Sequence, residues 1–449
     1  MKHHFLILTA GALSISPTPA AETNALPILT LAEAHGLALR NHPQVAAANY
    51  RTLAAEQVVR ETRSGLFPAA TLYGTAAGTA PHDTRILAGD LSSPHVFDKA
   101  SGGVGLSQLI TDFGRTLNLT AGSQYQAKAE SQNAAATREQ VLLGVDTGYF
   151  GALEAQAVLN VAHQTLDTRQ LLLDQVSVLA SNKLKSELDV SFAQVALEEG
   201  RLLVQQAQNG ADTAMASLST ALGYHELHPF QLVERSLPPV VATNDVSGLI
   251  GTALRERPEL LSLRDTRDAS IHVARAQRDA RLPTLAAVGG MGNAPIHDNG
   301  LPNSYIVGGV QLSVPLFEGG LYQARQREAE LRAEADAELL RSEEDIVVRD
   351  VRIAWLNVNT AMEQLRTTEQ LLDHASEAYQ LADARYKAGS SSIVELSQAQ
   401  LELTSAQIAN TNARYDVLIQ QANLNYQIGG LSEATRLSAN LPQQSRKDN

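Results

Sequence analysis

The sequence predicts an α+β protein, mainly α, built from long antiparallel coiled-coil helical hairpins and four short β-strands per chain, in two tandem structural repeats. Three observations carry this. The chain matches itself in order over nearly its whole length. Each half holds two short segments with strand-like composition or alternation. Each half then continues into very long helical periodicity, and one such stretch, Gly320 to Ala388, lacks proline altogether. Repeats set architecture, so they come first.

Leu39-Arg40-Asn41-His42-Pro43 corresponds to Leu254-Arg255-Glu256-Arg257-Pro258, and each is followed by a helical pattern ending at Leu66-Phe67-Pro68 or Arg281-Leu282-Pro283. Leu106 to Gly114 corresponds to Leu312 to Gly320, and Ser186 to Gln194 to Ser392 to Gln400. The second copy is shorter only between Pro283 and Leu312. Residues 22–226 and 244–430 are read as the repeats, 227–243 as an equatorial linker and 431–449 as a tail.

The N-terminus reads as a secretory signal over residues 1–21. Lys2, His3 and His4 precede an apolar run from Phe5 to Ile15, and small residues Thr18 and Ala20 are placed for cleavage. The alternative is a buried N-terminal strand or helix. No later stretch approaches ~18 uninterrupted apolar residues, so no transmembrane helix is expected.

Within each half, a short helix (Thr30 to Asn41; Asp245 to Arg257) meets a proline that bars the preceding residue from helix. A second helix runs to the next proline. Strand signals follow. In Tyr305 to Val314, Ile306, Val310, Leu312 and Val314 fall on one face, while Val307, Gly309, Gln311 and Ser313 fall on the other. Gly102 to Ile110 is weaker, because Gln108 breaks its apolar face. Ala69 to Ala80 and Thr284 to Asn293 are ambiguous alone and are read as strands because each pairs with a better one. The joining loops are placed at Pro81 to Ser101 and Ala294 to Asn303.

Four strands of this length suit a tilted bilayer crossing. They cannot close a barrel, and an open edge in lipid strands backbone groups at several kcal/mol each. Membrane strands would therefore require further copies; three chains would supply a 12-stranded β-barrel. Phe67, Phe113 and Phe317 sit at one end of the strands, where an interfacial aromatic belt would lie. A small water-soluble sandwich is the alternative.

The helix from Gly320 to Ala388 would be roughly 100 Å long. Val347, Val351, Ala354, Val358, Ala361, Leu365, Thr368, Leu372, Ala375, Tyr379, Ala382 and Tyr386 alternate steps of four and three, a heptad seam. Leu396, Ala399, Leu403, Ala406, Asn410, Ala413 and Val417 continue it on the return. Such a thin, alanine-rich seam suits a single-walled cylinder of helices; a plain coiled-coil rod stays open on this pattern alone. The reversals fall at Ser181-Asn182-Lys183 and at Ala388-Gly389-Ser390-Ser391-Ser392, giving two hairpin tips far from the strands.

Composition excludes several function classes. The 449 residues carry 48 acidic and 35 basic side chains, net −13, which argues against nucleic acid as a partner. Cysteine is absent, which removes disulfides, thiolate metal sites, cysteine nucleophiles and a lipidated N-terminal cysteine. Histidines are scattered; His225 and His228 lie three apart in a turn-like context and make a weak metal signal. Gly102-Gly103-Val104-Gly105 and Gly289-Gly290-Met291-Gly292 lack the helix that a phosphate cradle needs. No catalytic, cofactor or metal site is expected, and the chain is read as a non-enzyme.

Asn41-His42-Pro43, Val314-Pro315-Leu316-Phe317-Glu318-Gly319-Gly320 with its degenerate copy at Gln108 to Arg115, and Tyr386-Lys387-Ala388-Gly389 followed by Ile393-Val394-Glu395-Leu396 resemble the TolC family of outer-membrane efflux channels. The resemblance covers nearly the whole chain in two copies. It implies a homotrimer in outer-membrane lipid with a helical tunnel in the periplasm, a periplasmic adaptor, and a proton-driven or ABC-type inner-membrane pump. It implies a gate at the tips (Asn182, Lys183, Gly389, Ser390, Ser391), where a tyrosine–aspartate latch falls on Tyr386 and Asp189. A first acidic ring position falls on Glu395; the second falls on Gln398, which is neutral. A basic latch position falls on Ser391. Packing alone accounts equally well for Tyr386, and helix-start solvation for Asp189 and Glu395. A non-channel periplasmic coiled-coil or adaptor protein is the alternative from another class.

Overall fold

The computed structural model describes residues 26–78, 86–87, 95–96, 99–234, 245–296 and 302–431. The signal segment, the linker after residue 234, the tail beyond residue 431, Ala80 and parts of both predicted strand loops lie outside these residues.

Each repeat opens with two short helices around a proline kink. Helix α1 (Leu31–Asn41) is closed at its start by Thr30 and Glu33, which cap each other reciprocally. Pro43 starts α2 (Pro43–Ser64), where its missing N–H costs nothing. In the second half, α5 (Val246–Glu256) and α6 (Pro258–Asp279) reproduce this. Gly223 and Gly429 lie against the two kinks in the left-handed region, at φ +84° and +77°. A β-carbon on Gly223 would lie 2.9 Å from the backbone of His42, and one on Gly429 would lie 3.2 Å from that of Arg257.

The long helices are α3 (Arg115–Ser181) and α7 (Leu321–Lys387), 67 residues each, or about 100 Å. Their return partners, α4 (Glu187–Ala221) and α8 (Ile393–Gln427), have 35 residues each. The halves thus match in length helix by helix. On the tip side, α4, α3, α8 and α7 lie side by side; towards the sheet, α2, α3, α6 and α7 do. The wall is four helices wide at both levels, with α3 and α7 running through.

The predicted seam holds this wall. Val347, Val351, Ala354, Val358, Ala361, Ala375, Ala382 and Tyr386 are buried. Alanines keep the layer thin, so most of the remaining helix surface meets solvent. A thicker core forms at mid-height, where α1 packs on α3 around Val141, Val145, Tyr149, Phe150 and Leu153. Burial of each large side chain there contributes about 1.5–3 kcal/mol. Strands β1 (Ile28–Leu29) and β6 (Gln231–Leu232) pair in parallel beside it, and the Tyr149 hydroxyl donates to the carbonyl of Leu29 at 2.9 Å. Part of the predicted linker is therefore a strand that binds the segment leading into α1.

The four-stranded sheet has the order β2 (Ala69–Ala77), β5 (Lys99–Thr111), β7 (Thr284–Ile296), β8 (Ser304–Ser313), with every neighbour antiparallel. The second predicted loop is shorter than the sequence reading placed it, whereas the first is shifted along the chain: β2 stops at Ala77, short of the expected Ala80, and β5 starts at Lys99, not Gly102. β5 begins at Lys99 because Ala76 and Ala77 pair with Ala100 and Lys99, and β7 runs on to Ile296. Inside the first predicted loop, β3 (Ile86–Leu87) pairs with β4 (His95–Val96). Turn-rich composition marked the reversal but not how far the ladder climbs. Gln108 turns its side chain to the carbonyls of Leu66 and Leu109, at 2.9 and 2.8 Å, where strand meets helix.

Candidate functional site

Two regions of this frame carry candidate function: the sheet at one end and the helical tips at the other. Directly paired residues share a face of a sheet. Leu72, Val104, Met291 and Ile306 therefore form one row across all four strands. Leu106, Val310 and Leu312 lie on the same face, and all seven side chains are exposed. The opposite face carries Thr71, Gly105, Gly290 and Val307 in one row and Tyr73, Gly103, Gly292 and Tyr305 in the next. One face is thus apolar and uncovered, and the other is mostly small or polar, with Val288 and Val307 as exceptions. Both outer edges, β2 and β8, lack a strand partner among the described residues. Phe67, Phe113 and Phe317 project at the helical end of the sheet, the last of them 87% exposed.

At the tips, each return helix starts with a capping serine. Ser186 and Asp189 form a capping box, with the Asp189 carboxylate accepting from the Ser186 N–H at 3.0 Å and from its hydroxyl at 2.8 Å. These bonds hold the Asp189 carboxyl below its usual range, and the charge of Lys185 adds to the effect. Ser392 caps α8 through the Glu395 N–H. Asn182 closes α3 through its side-chain amide, and Lys183 follows in the left-handed region at φ +59°. Gly389 takes the same region at φ +73°, and the Ser390 hydroxyl bonds the carbonyl of Arg385.

The two hairpins meet around Tyr386. Its ring is buried with Leu172, Val176 and Ala193 of the first hairpin and Ala382, Ile393 and Leu396 of its own. The Tyr386 hydroxyl has no hydrogen-bond partner among the described residues. Burial pushes this phenol up, and the Asp189 charge adds to that. Lys185 from the first tip places its ammonium 4.1 Å from the ring centroid. Glu395 pairs with Arg385 at 2.8 Å, with both side chains substantially exposed. Gln398 donates to Glu402 one turn on. The Ser391 hydroxyl is buried and unpartnered among the described residues.

A family model described as outer membrane efflux protein matches residues 35–224 and 249–430, one copy per repeat. The chain belongs to the outer membrane efflux protein family. Among its relatives is the outer membrane protein TolC of Vibrio cholerae, 26% identical over 417 residues, covering 91% of this chain and 93% of that one. Another is the alkaline protease secretion protein AprF of Pseudomonas aeruginosa, 26% identical over 424 residues, covering 90% and 85%. Among solved structures, CusC matches with a TM-score of 0.76 at 19% identity, over 94% of this chain and 99% of that one. The CmeC outer membrane channel of Campylobacter jejuni matches with a TM-score of 0.75 at 18% identity, over 93% and 90%. At such identities the structures establish the shared fold.

In this efflux-family chain the structure brings Tyr386, Asp189, Lys185, Arg385 and Glu395 to one end. Tyr386 and Asp189 are near neighbours, yet the carboxylate is engaged by its own helix start. Sequence reasoning missed Lys185. The signal was present: the match of Ser186 with Ser392 also sets Lys185 opposite Ser391. A basic side chain therefore stands in the first tip at the position that matches Ser391 in the second. His228 stacks on Tyr224 at 4.1 Å between centroids, and no metal-holding cluster occurs among the described residues. No described helix is long and apolar enough to cross a membrane.

Proposed function

We propose that this chain is one subunit of a homotrimeric outer-membrane channel, the exit duct of an efflux or secretion system. The single observation behind this reading is the four-stranded sheet with an uncovered apolar face and two edges unpaired among the described residues. In lipid those edges must be satisfied, and a closed barrel of copies is the available solution. Three copies give twelve strands above a helical wall that is also four elements wide per copy. Leu188, Val195 and Leu202 recur every seven residues along α4, each more than half exposed, a stripe suited to the next subunit's wall.

The helical part would stand in the periplasm, with the tips facing an adaptor and an inner-membrane pump. Names such as alkaline protease secretion protein, borne by a relative, fit such a partnership. Phe67, Phe113 and Phe317 would ring the inner membrane–water boundary of the barrel. Passage would need no catalytic group or cofactor. At the tip, Tyr386 with Lys185 and Asp189 would join the two hairpins, and Glu395, offset by Arg385, would sit near the axis.

The test is direct. Outer-membrane fractions should contain heat-modifiable trimers, and the purified trimer should form steady conducting pores in planar bilayers. A soluble, non-conducting monomer would remove the channel reading.

A further inference from the structure

The small face of the sheet is interrupted at one level. Tyr73 on β2 and Tyr305 on β8 occupy the outer strands of one row, and Gly103 and Gly292 occupy the strands between. The two tyrosine hydroxyls meet across those glycines. A β-carbon on Gly103 would lie 2.6 Å from the Met291 carbonyl oxygen and 2.9 Å from each hydroxyl oxygen, and one on Gly292 would lie 2.6 Å from both the Gly102 carbonyl oxygen and the Tyr305 hydroxyl. The rings therefore lie down along the sheet, at the height where any other residue would place its β-carbon. Only glycine leaves that room. One tyrosine comes from each half of the chain, so the feature exists only because the repeats fold together.

We propose that Tyr73 and Tyr305 form a flat aromatic ledge on the bore wall that is a contact site for aromatic organic cations. The proposal rests on the barrel reading above, because that reading decides which face meets water. The opposite face carries the unbroken row Leu72, Val104, Met291 and Ile306, which belongs against lipid. The tyrosine face then points inward. Its adjacent row is Thr71, Gly105, Gly290 and Val307, so bare backbone flanks the rings at the two middle strands. Three copies bring two rings each to the same level and line the bore with aromatic faces. Those faces carry negative potential and attract cations, and they stack against planar groups. The net charge of −13 favours the same sign of cargo.

The test uses the full trimer in planar bilayers, with tetraphenylphosphonium as the probe. The ledge predicts concentration-dependent block by this cation in the parent channel. Tyr73→Ala with Tyr305→Ala should weaken block about two- to fivefold. Tyr73→Phe with Tyr305→Phe should retain it, since the π faces remain. Each alanine change alone should weaken block in the same direction, which keeps the test usable if the double variant does not assemble. Unchanged block in assembled alanine variants would overturn the ledge, as would loss of block in the phenylalanine pair. A fall in trimer melting temperature alone would leave only a structural staple and overturn it too. The barrel reading is checked separately in this cysteine-free chain. Val307→Cys should react with a membrane-impermeant thiol reagent and Ile306→Cys should not; the reverse pattern would sink the barrel's orientation, and with it the ledge.

Discussion

Replacing Tyr386 by alanine should loosen the contact between the two helical hairpins, whereas replacing it by phenylalanine should not. The ring is 6% exposed and packs on Leu172, Val176 and Ala193 across the hairpin boundary. Truncating a buried aromatic costs about 3–5 kcal/mol, and roughly half of this ring's neighbours lie on the other hairpin. The Lys185 ammonium adds about 0.5–1 kcal/mol across the same boundary. The cross-hairpin loss is then about 2–3 kcal/mol per chain, a roughly 30- to 150-fold shift towards separated hairpins. The hydroxyl is different: it is buried without a partner among the described residues, so removing it forfeits no bond and relieves a desolvation cost of about 1–3 kcal/mol. Single-channel recording of the open fraction reads both variants. Tyr386→Ala should open the tip and Tyr386→Phe should leave it as closed as the parent or more so. If phenylalanine opened the channel as much as alanine, the contact would run through the hydroxyl, and the packing argument would be wrong.

Other outcomes follow from named contacts. Gly223→Ala should lower the trimer melting temperature more than Gly429→Ala. Each forces a left-handed conformation costing roughly 1–2 kcal/mol, but only the first places a β-carbon 2.9 Å from the His42 backbone. Arg385→Gln frees the Glu395 carboxylate from its partner and should raise cation preference measured by reversal potential; adding Glu395→Gln should cancel the gain. Because that pair is exposed, neither change should shift stability by more than about 1 kcal/mol. Glu154 is pushed up by burial and then by the charge of Asp416. Its folded pKa lies above its unfolded one, so its ionised form opposes folding at neutral pH, and the penalty fades as pH falls through the raised value. Glu154→Gln should therefore raise the melting temperature at pH 7 and have little effect near pH 4; an equal gain at both would contradict this origin.

Much of the fold was legible because its forces are periodic. Val347 to Tyr386 had to bury one narrow stripe against neighbours, and steps of four and three are the mark of that requirement. Ile306, Val310 and Leu312 alternate because the two faces of β8 meet different surroundings. Lys99, Ala100 and Ser101 carry no such mark, since their place in β5 is set by backbone pairing with Ala77, Ala76 and Thr75 on β2. The tip was half legible. Ser186 and Ser392 announce the return helices through local caps, but Lys185 meets Tyr386 only because two distant hairpins lie together. Tyr73 and Tyr305 were hidden for the same reason, since no local pattern says that two glycines in other strands will make room for them.

Equal helices in the two copies, 67 with 67 and 35 with 35 residues, make each one a stave of the same wall. One inserted residue would lift a stave's end by about 1.5 Å and rotate everything beyond it by about 100°. Its seam would then face away from its neighbours along the entire remaining height. Descendants of such a chain can exchange side chains freely on the wet surfaces. Changes of length are tolerable in multiples of seven, made in both copies together, because only those keep every stripe facing its neighbour.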